Sequence, residues 1–285
     1  RPLSWLYAGV WHWRKRLYRW GWLKVHQQSV PVVVVGNVVA GGVGKTPITI
    51  ALVQHLQSQG IAVGVVSRGY GRSRQERGAV RAVHANSTAA EVGDEPLLIH
   101  RQTQAPVVVG SKRVSAIRHL LDTHPDCKII LSDDGLQHWA MARDIEIVVF
   151  DERDTGNQWL LPAGPLREPW PRAVDLVLHT GSRPAFEGVN CFQGQRQLGH
   201  AVQADGTQCA IHQLPVPVMA LAGIAQPQAF FDMLSAQGVE LDRTLALPDH
   251  VNFDSVNLNE YKGYTVVCTE KDAVKLWPLL PQAWA

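Results

Sequence analysis

The stretch from Gly36 to Pro47, Gly-Asn-Val-Val-Ala-Gly-Gly-Val-Gly-Lys-Thr-Pro, constrains this chain more than any other. It follows the apolar run Val32-Val33-Val34-Val35 and precedes a helix-like stretch, Ile48 to Gln57. Strand, glycine-rich turn and helix thus come in the order that a P-loop requires. Gly41, Gly42 and Gly44 let backbone N–H groups curl round the β- and γ-phosphates of a nucleotide at a helix N-terminus, where unpaired donors and the helix dipole both favour anions. Lys45 supplies a point charge, and Thr46 is placed to turn its hydroxyl toward Mg²⁺.

Val39 stands six residues before the lysine, where the usual pattern has glycine, and the nearest upstream glycine is Gly36. An ordinary glycine-rich β–α turn is the competing reading, and the flanking strand and helix weigh against it. Partitioning-type ATPases carry a further lysine at the start of Lys-Gly-Gly-x-Gly-Lys-Thr. Ala40 occupies that position here, which counts against them.

With 285 residues, 46% hydrophobic and 18% charged, the chain is long and apolar enough for a folded α/β protein of two compact units. Cysteines 127, 191, 209 and 268 have no Cys-x-x-Cys spacing, which fits a reduced environment and suggests neither a disulfide framework nor a zinc site. Charge is uneven. Ten of the 27 basic residues precede the first acidic residue, Glu76, and the remainder carries 17 basic against 25 acidic. The N-terminal part therefore faces something anionic, with nucleic acid, anionic lipid and nucleotide phosphate as candidates on charge alone. The chain starts at Arg1 rather than methionine and stops at Trp284-Ala285 in mid-pattern, so trimmed ends are expected.

Residues 1–28 stand apart. Leu3, Leu6, Val10, Trp13, Leu17 and Trp20 recur at spacings of three and four, and five of the ten tryptophans lie in the first 22 residues. Tryptophan with lysine and arginine on an amphipathic helix is the composition of a membrane-interface segment, while Arg14-Lys15-Arg16 interrupts any run long enough to span. A helix packed on the globular core is the alternative.

From Pro31 to Thr180 apolar strands alternate with helices. Strands are expected at 31–36, 62–66, 106–109, 128–132, 145–150 and 175–179, with helices at 45–59, 94–101 and 111–122 between them. The pattern predicts an α/β fold with a doubly wound, mostly parallel sheet, with functional residues at the carboxyl ends of its strands. At those ends, Ser67-Arg68-Gly69-Tyr70-Gly71-Arg72 is either a phosphate-holding loop or a solvated turn. In Gly93-Asp94-Glu95-Pro96, the aspartate suits a helix cap. Ser132-Asp133-Asp134-Gly135-Leu136-Gln137-His138 follows an apolar strand as a Walker B aspartate does, its carboxylate holding Mg²⁺ directly or through water, although Asp-Asp-Gly taken alone is often only a turn. The proline-rich Leu161-Pro162-Ala163-Gly164-Pro165-Leu166-Arg167-Glu168-Pro169 holds Arg167 and Glu168 rigidly, either for function or as a surface connection.

Residues 184–213 read as a polar linker, β-like at 198–204. A second α/β unit follows, with strands at 217–222, 240–246 and 264–268 and a helix at 227–236. Thr269 and Asp272 have capping-box spacing for a last helix through Trp277.

Taken together these motifs resemble the tetraacyldisaccharide 4′-kinases of lipid A biosynthesis, a P-loop family. The resemblance rests on Gly36-Asn37 with Gly41 to Pro47, Ser67-Arg68-Gly69-Tyr70-Gly71, Gly93-Asp94-Glu95-Pro96 and Asp133 to His138. It continues through Leu161 to Glu168, Pro248-Asp249-His250 and Thr269-Glu270-Lys271-Asp272-Ala273-Val274-Lys275, covering nearly the whole chain in order. The non-glycine at Val39 is also a feature of that family.

The resemblance implies ATP-dependent phosphorylation of the 4′-hydroxyl of a tetraacyl glucosamine disaccharide 1-phosphate. The expected place is the cytosolic face of the bacterial inner membrane, reached through the N-terminal helix, with neither nucleic acid nor an obligate protein partner. It implies a P-loop domain at 29–183, a hairpin linker at 184–213 and a smaller C-terminal domain at 214–285. It makes His250 the base and Asp94 its partner, with Lys45 and Asp134 also catalytic. ATP falls to Gly41, Gly42, Val43, Gly44, Lys45, Thr46 and Pro47, and Mg²⁺ to Thr46, Asp133 and Glu168. Arg68, Tyr70, Arg113, Gln137, His138 and Arg167 are implied for the lipid substrate. Many members have a second histidine after His250; Val251 stands there instead. A membrane-associated regulatory ATPase is the alternative class, and a nucleic-acid binder is disfavoured by the acidic balance beyond residue 75.

Overall fold

The computed structural model describes residues 1–76, 78–181 and 190–285, so residues 184–189 of the expected linker lie outside the described residues. The chain forms two compact units. The first comprises Arg1–Gly69, Arg74–Ala85 and Ile99–Gln195, the second Tyr70–Ser73, Asn86–Leu98 and Arg196–Ala285.

In chain order the first strands are β1 (Val32–Gly36), β2 (Val63–Ser67), β3 (Arg81–Ala82), β4 (Val107–Val109), β5 (Ile129–Asp133), β6 (Ile145–Phe150), β7 (Leu176–His179) and β8 (Cys191–Gln193). The helices among them are α1 (Pro2–Arg19), α2 (Lys45–Ser58), α3 (Ala89–Val92), α4 (Asp94–Thr103) and α5 (Arg113–Thr123). The strands form one sheet in the order β3-β4-β2-β5-β1-β6-β7-β8, parallel at every pairing except that of β3 with β4. This is the expected doubly wound α/β class. Val32 to Val35 are buried on both faces of the sheet, which is why β1 reads as an unbroken apolar run rather than an alternation. The chain winds to one side of β1 through β2, β4 and β5 and to the other through β6, β7 and β8. The carboxyl end of β1 therefore lies where the winding reverses, the place where doubly wound sheets bind ligands. Beneath it Val34, Leu136, Val148 and Phe150 share one core.

Helix α1 rests on this unit by its less apolar face. The Ser4 hydroxyl donates to the Leu160 carbonyl at 2.8 Å and accepts from Ala163 N–H at 3.0 Å, and Tyr7 donates to the Arg167 carbonyl at 2.7 Å. One turn on, Trp11 packs edge-to-face on Trp139 at 5.1 Å. The stripe read from the sequence points away from this contact: Leu3, Leu6, Val10, Trp13 and Trp20 are all more than half exposed. No helix among the described residues is long and apolar enough to cross a membrane.

The second unit holds a hairpin of β9 (Ala201–Val202) and β10 (Gln208–Cys209), then β11 (Val218–Ala222), α6 (Pro227–Ala236), β12 (Leu241–Ala246), β13 (Thr265–Cys268) and α7 (Glu270–Leu276). β11 lies between β12 and β13 in a parallel sheet, and every residue of β11 is buried. Ala201, Ile211 and Leu214 join Val218, Ala220 and Phe231 in its core. β3, β8 and α3 have no counterpart in the sequence reading, because edge strands of two or three residues and a single helical turn carry no period to detect.

Candidate active site

At the carboxyl end of β1 the chain turns through Gly41 to Gly44. Gly44 is the residue before α2 and sits at φ 82°, left-handed geometry that glycine reaches without the steric cost a Cβ would add. No acidic side chain occupies the first turn of α2, so the positive end of its dipole is left for an anion. Asn37, fully buried, ties the loop together: its amide donates to the Val39 carbonyl and, at 3.2 Å, to that of Gly41, while its Oδ1 accepts from Lys45 Nζ at 3.2 Å. Arg153, just beyond β6, donates to the Gly42 carbonyl at 2.7 Å while its guanidinium grips the Asp151 carboxylate at 2.7 to 3.1 Å. The proline-rich loop runs along the first half of the P-loop, with Ala40 N–H donating to Pro165 and Arg167 N–H to Val38, both at 2.7 Å.

At the end of β5, Asp133 is buried, with the hydroxyls of Thr49 and Ser67 at 3.3 and 3.4 Å from its carboxylate. Asp134 faces cations, with Lys45 at 3.6 Å and Arg167 at 3.1 Å. Burial alone would raise its carboxyl, but Lys45 and Arg167 outweigh that and hold it below the usual carboxylate range.

In the second unit Asp94 opens α4 and is 3% exposed. Its Oδ1 accepts the Glu95 N–H at 3.0 Å, and its Oδ2 accepts from His250 Nδ1 at 2.9 Å. The helix-start role and the partnership with the histidine are both satisfied, one by each oxygen. Burial pushes the Asp94 carboxyl up, but the His250 hydrogen bond and the charges of Lys271 and Lys275 bring it below its ordinary value. His250 itself stands at φ 60°, a left-handed conformation that costs a non-glycine residue on the order of 1 kcal/mol. The Tyr70 ring lies against its imidazole, 4.7 Å between centroids.

The family model described as tetraacyldisaccharide-1-P 4′-kinase matches residues 1–285, the full length of the sequence. The chain belongs to the tetraacyldisaccharide 4′-kinase family. It is therefore an enzyme, a kinase of lipid A biosynthesis. The tetraacyldisaccharide 4′-kinase of Polaromonas naphthalenivorans (strain CJ2) is 56% identical over 284 residues, which is 98% of this chain and 81% of that protein. That of Acidovorax ebreus (strain TPSY) is 54% identical over 286 residues, covering 100% and 83%. Among solved structures, "apo" form LpxK from Aquifex aeolicus in complex with ATP superposes with a TM-score of 0.83 at 28% identity, over 100% of this chain and 91% of that one.

In this member of the family not every expected site residue points outward. Arg113, expected on the substrate, is 1% exposed and spends its terminal nitrogens on the carbonyls of Gly110 and Asp133, at 2.8 and 3.0 Å. Burial lowers its guanidinium to about 10, against the pull of Asp133 and Asp134. It braces the β5 terminus. Glu168, expected on the metal, is 1% exposed, with one oxygen accepting from Gln137 at 3.1 Å and the other 3.4 Å from Arg172. Gln137 is thereby turned inward too, donating also to the Asn37 carbonyl. Among the described residues no three His, Cys, Asp or Glu side chains converge as a metal cage. His138 is held neutral, burial first and then Arg113 and Arg68 lowering it to about 4. Arg68 and Tyr70 remain exposed. Asn37, Arg153, Lys271 and Lys275 were not among the expected site residues, though Asn37 and both lysines lie inside motifs quoted for the family resemblance.

Proposed function

We propose that this enzyme transfers the γ-phosphate of ATP to the 4′-hydroxyl of a tetraacyldisaccharide 1-phosphate at a membrane surface, with His250 as the general base. The hydrogen bond from His250 Nδ1 to Asp94, 2.9 Å long between residues 156 positions apart, is the observation that carries this reading. A sugar hydroxyl is a poor nucleophile, and removing its proton as it attacks contributes roughly 10² to 10⁴ in rate. Asp94 orients the ring and stabilises the imidazolium once Nε2 takes the proton, while the hydroxyl oxygen bonds to the γ-phosphorus and the bond to the ADP oxygen breaks.

In the P-loop unit, backbone N–H groups of residues 41–46 and Lys45 bind the phosphates, and Asn37 and Arg153 hold the loop in shape. Kinase sites hold Mg²⁺ with one or two oxygen side chains and substrate phosphates rather than an all-protein cage. The Thr46 hydroxyl at the head of α2 and the Asp133 carboxylate are hard oxygen donors of that kind. When bound, the ion neutralises charge developing on the transferred phosphoryl group. Lys45, Arg167 and Asp134 form a charged group whose spacing keeps two cations beside the P-loop.

The acceptor's acyl chains keep it in a bilayer, and the exposed face of α1 supplies the matching surface. Leu3, Leu6, Val10 and Trp13 present apolar area, and the six basic residues of the first 28, with no acidic residue among them, favour an anionic leaflet. Transfer of labelled γ-phosphate from ATP to a detergent-solubilised tetraacyldisaccharide 1-phosphate tests the reading. Label in the lipid, dependent on His250, supports it; hydrolysis of ATP with no labelled lipid would refute it.

A further inference from the structure

Lys271 lies in the first turn of α7 with its side chain largely covered. Its Nζ is 3.2 Å from Glu95 Oε1, 3.1 Å from Asp249 Oδ1 and 3.4 Å from His250 Nε2. An ammonium has three donors and no acceptor, so the contact with Nε2 runs from lysine to imidazole and requires a lone pair on that nitrogen. The single proton of a neutral ring then sits on Nδ1, facing Asp94 at 2.9 Å. Two contacts, one on each side of the ring, select the same tautomer.

Lys271 stays charged where it lies. Burial would lower its ammonium, but Glu95, Asp94 and Asp249 together raise it above the ordinary lysine value. It is not a base itself. At the other end of the pair, Lys275 Nζ lies 3.5 Å from Asp94 Oδ2 and 3.8 Å from the buried carboxylate of Asp272.

We propose that Lys271 is a positioning residue for the base, fixing His250 with Nε2 free and occupying beside that nitrogen the place the acceptor hydroxyl takes over. Glu95 and Asp249 already hold two of the ammonium's three protons, so yielding Nε2 to a hydroxyl costs Lys271 one weak contact and leaves it paired. The groups facing His250 are Asp249 on its own turn, Asp94 and Glu95 on α4, Lys271 and Lys275 on α7, and the Tyr70 ring.

The proposal rests on His250 being the base, and its test separates the two claims. In ¹⁵N-histidine-labelled full-length protein, the His250 signals are expected to show an unprotonated Nε2 and a protonated Nδ1. Lys271→Met, with folding checked by circular dichroism and ATP affinity, should lose this single-tautomer pattern. Lys271→Arg should keep the single-tautomer pattern. A protonated Nε2 in the unaltered enzyme would overturn the proposal without any variant, as would a Lys271→Met enzyme with unchanged tautomer. Undiminished turnover in His250→Ala would instead defeat the base assignment, leaving the tautomer measurement standing on its own.

Discussion

Arg153 Nη2 donates to the carbonyl of Gly42 at 2.7 Å, fastening the middle of the P-loop to a guanidinium that Asp151 already holds on two sides. A glycine-rich loop gains much conformational freedom when untethered, so such a clasp lowers the entropy lost on binding nucleotide. Arg153→Ala is expected to raise the KM for ATP by roughly three- to tenfold, the equivalent of about one charge-assisted hydrogen bond, with a smaller change in kcat. Steady-state kinetics with ATP varied at saturating lipid checks this. A fall in kcat at constant KM would assign Arg153 to the transition state instead.

Lys45→Ala and Asp133→Asn should each lower turnover by at least about 10² while the fold persists, since one removes charge stabilisation of the phosphates and the other a metal-binding oxygen. Turnover with altered Mg²⁺ dependence would be expected only for the aspartate variant. Single-turnover transfer across a Mg²⁺ titration distinguishes them.

His250→Ala and Asp94→Ala should each depress kcat strongly, and the double variant should lose little beyond the worse single one, because a base and its orienting partner act as a unit. Losses that multiply would show two independent roles, and Asp94 would then be a helix-start residue alone.

Asp94 also makes a pH prediction for stability. Its carboxyl is held below the ordinary value in the fold, so its contribution is fully present above the unfolded carboxylate range, near pH 4, and is lost as pH falls through the lower folded value. Thermal unfolding of the parent and Asp94→Asn should therefore differ most at neutral pH and converge in acid. Asp272, whose buried carboxyl is raised above its ordinary value, has the opposite sign: its ionisation costs stability as pH rises. A gap between parent and Asp94→Asn that widens in acid would contradict the linkage.

Helix α1 is better probed on its exposed face than by truncation, because Ser4 and Tyr7 anchor its inner face to the loop that carries Arg167. Leu6→Ser, Val10→Ser and Trp13→Ser together should weaken co-sedimentation with anionic vesicles and leave ATP affinity unchanged. Binding of the parent should also fall with salt, each engaged basic residue contributing on the order of 1 kcal/mol at low ionic strength. Equal sedimentation of parent and triple variant would remove α1 from membrane recognition.

Much of this was legible in the sequence because it is periodic. The valine run of β1, the helix after Lys45 and the apolar run of β11 all follow patterns of burial that the local sequence records. What escaped was non-local or already explained. No spacing brings His250 to Asp94, and the sequence led there through a family resemblance alone. Lys271 lay hidden inside Thr269-Glu270-Lys271-Asp272, where the helix cap made by Thr269 with the Asp272 N–H accounts for the motif and says nothing of the lysine. Arg113 and Glu168 carry the residue types of a phosphate and metal site, yet both are buried on internal partners, and charge alone does not reveal which way a side chain points. An amphipathic stripe has the same period whether it meets a core or a lipid, so the direction of α1 had to come from the contacts of Ser4, Tyr7 and Trp11.

Phosphorylation of a disaccharide lipid hydroxyl, with His250 accepting its proton, is what the Asp94–His250 geometry supports. The most direct measurement is pre-steady-state transfer of γ-labelled phosphate from ATP to a tetraacyldisaccharide 1-phosphate, comparing the parent enzyme with His250→Ala at matched ATP occupancy. Label is expected on the 4′-oxygen at a rate that falls by roughly 10² to 10⁴ in the variant, with ATP affinity preserved. Equal rates in the two enzymes, or label that stays in ATP and inorganic phosphate, would contradict it.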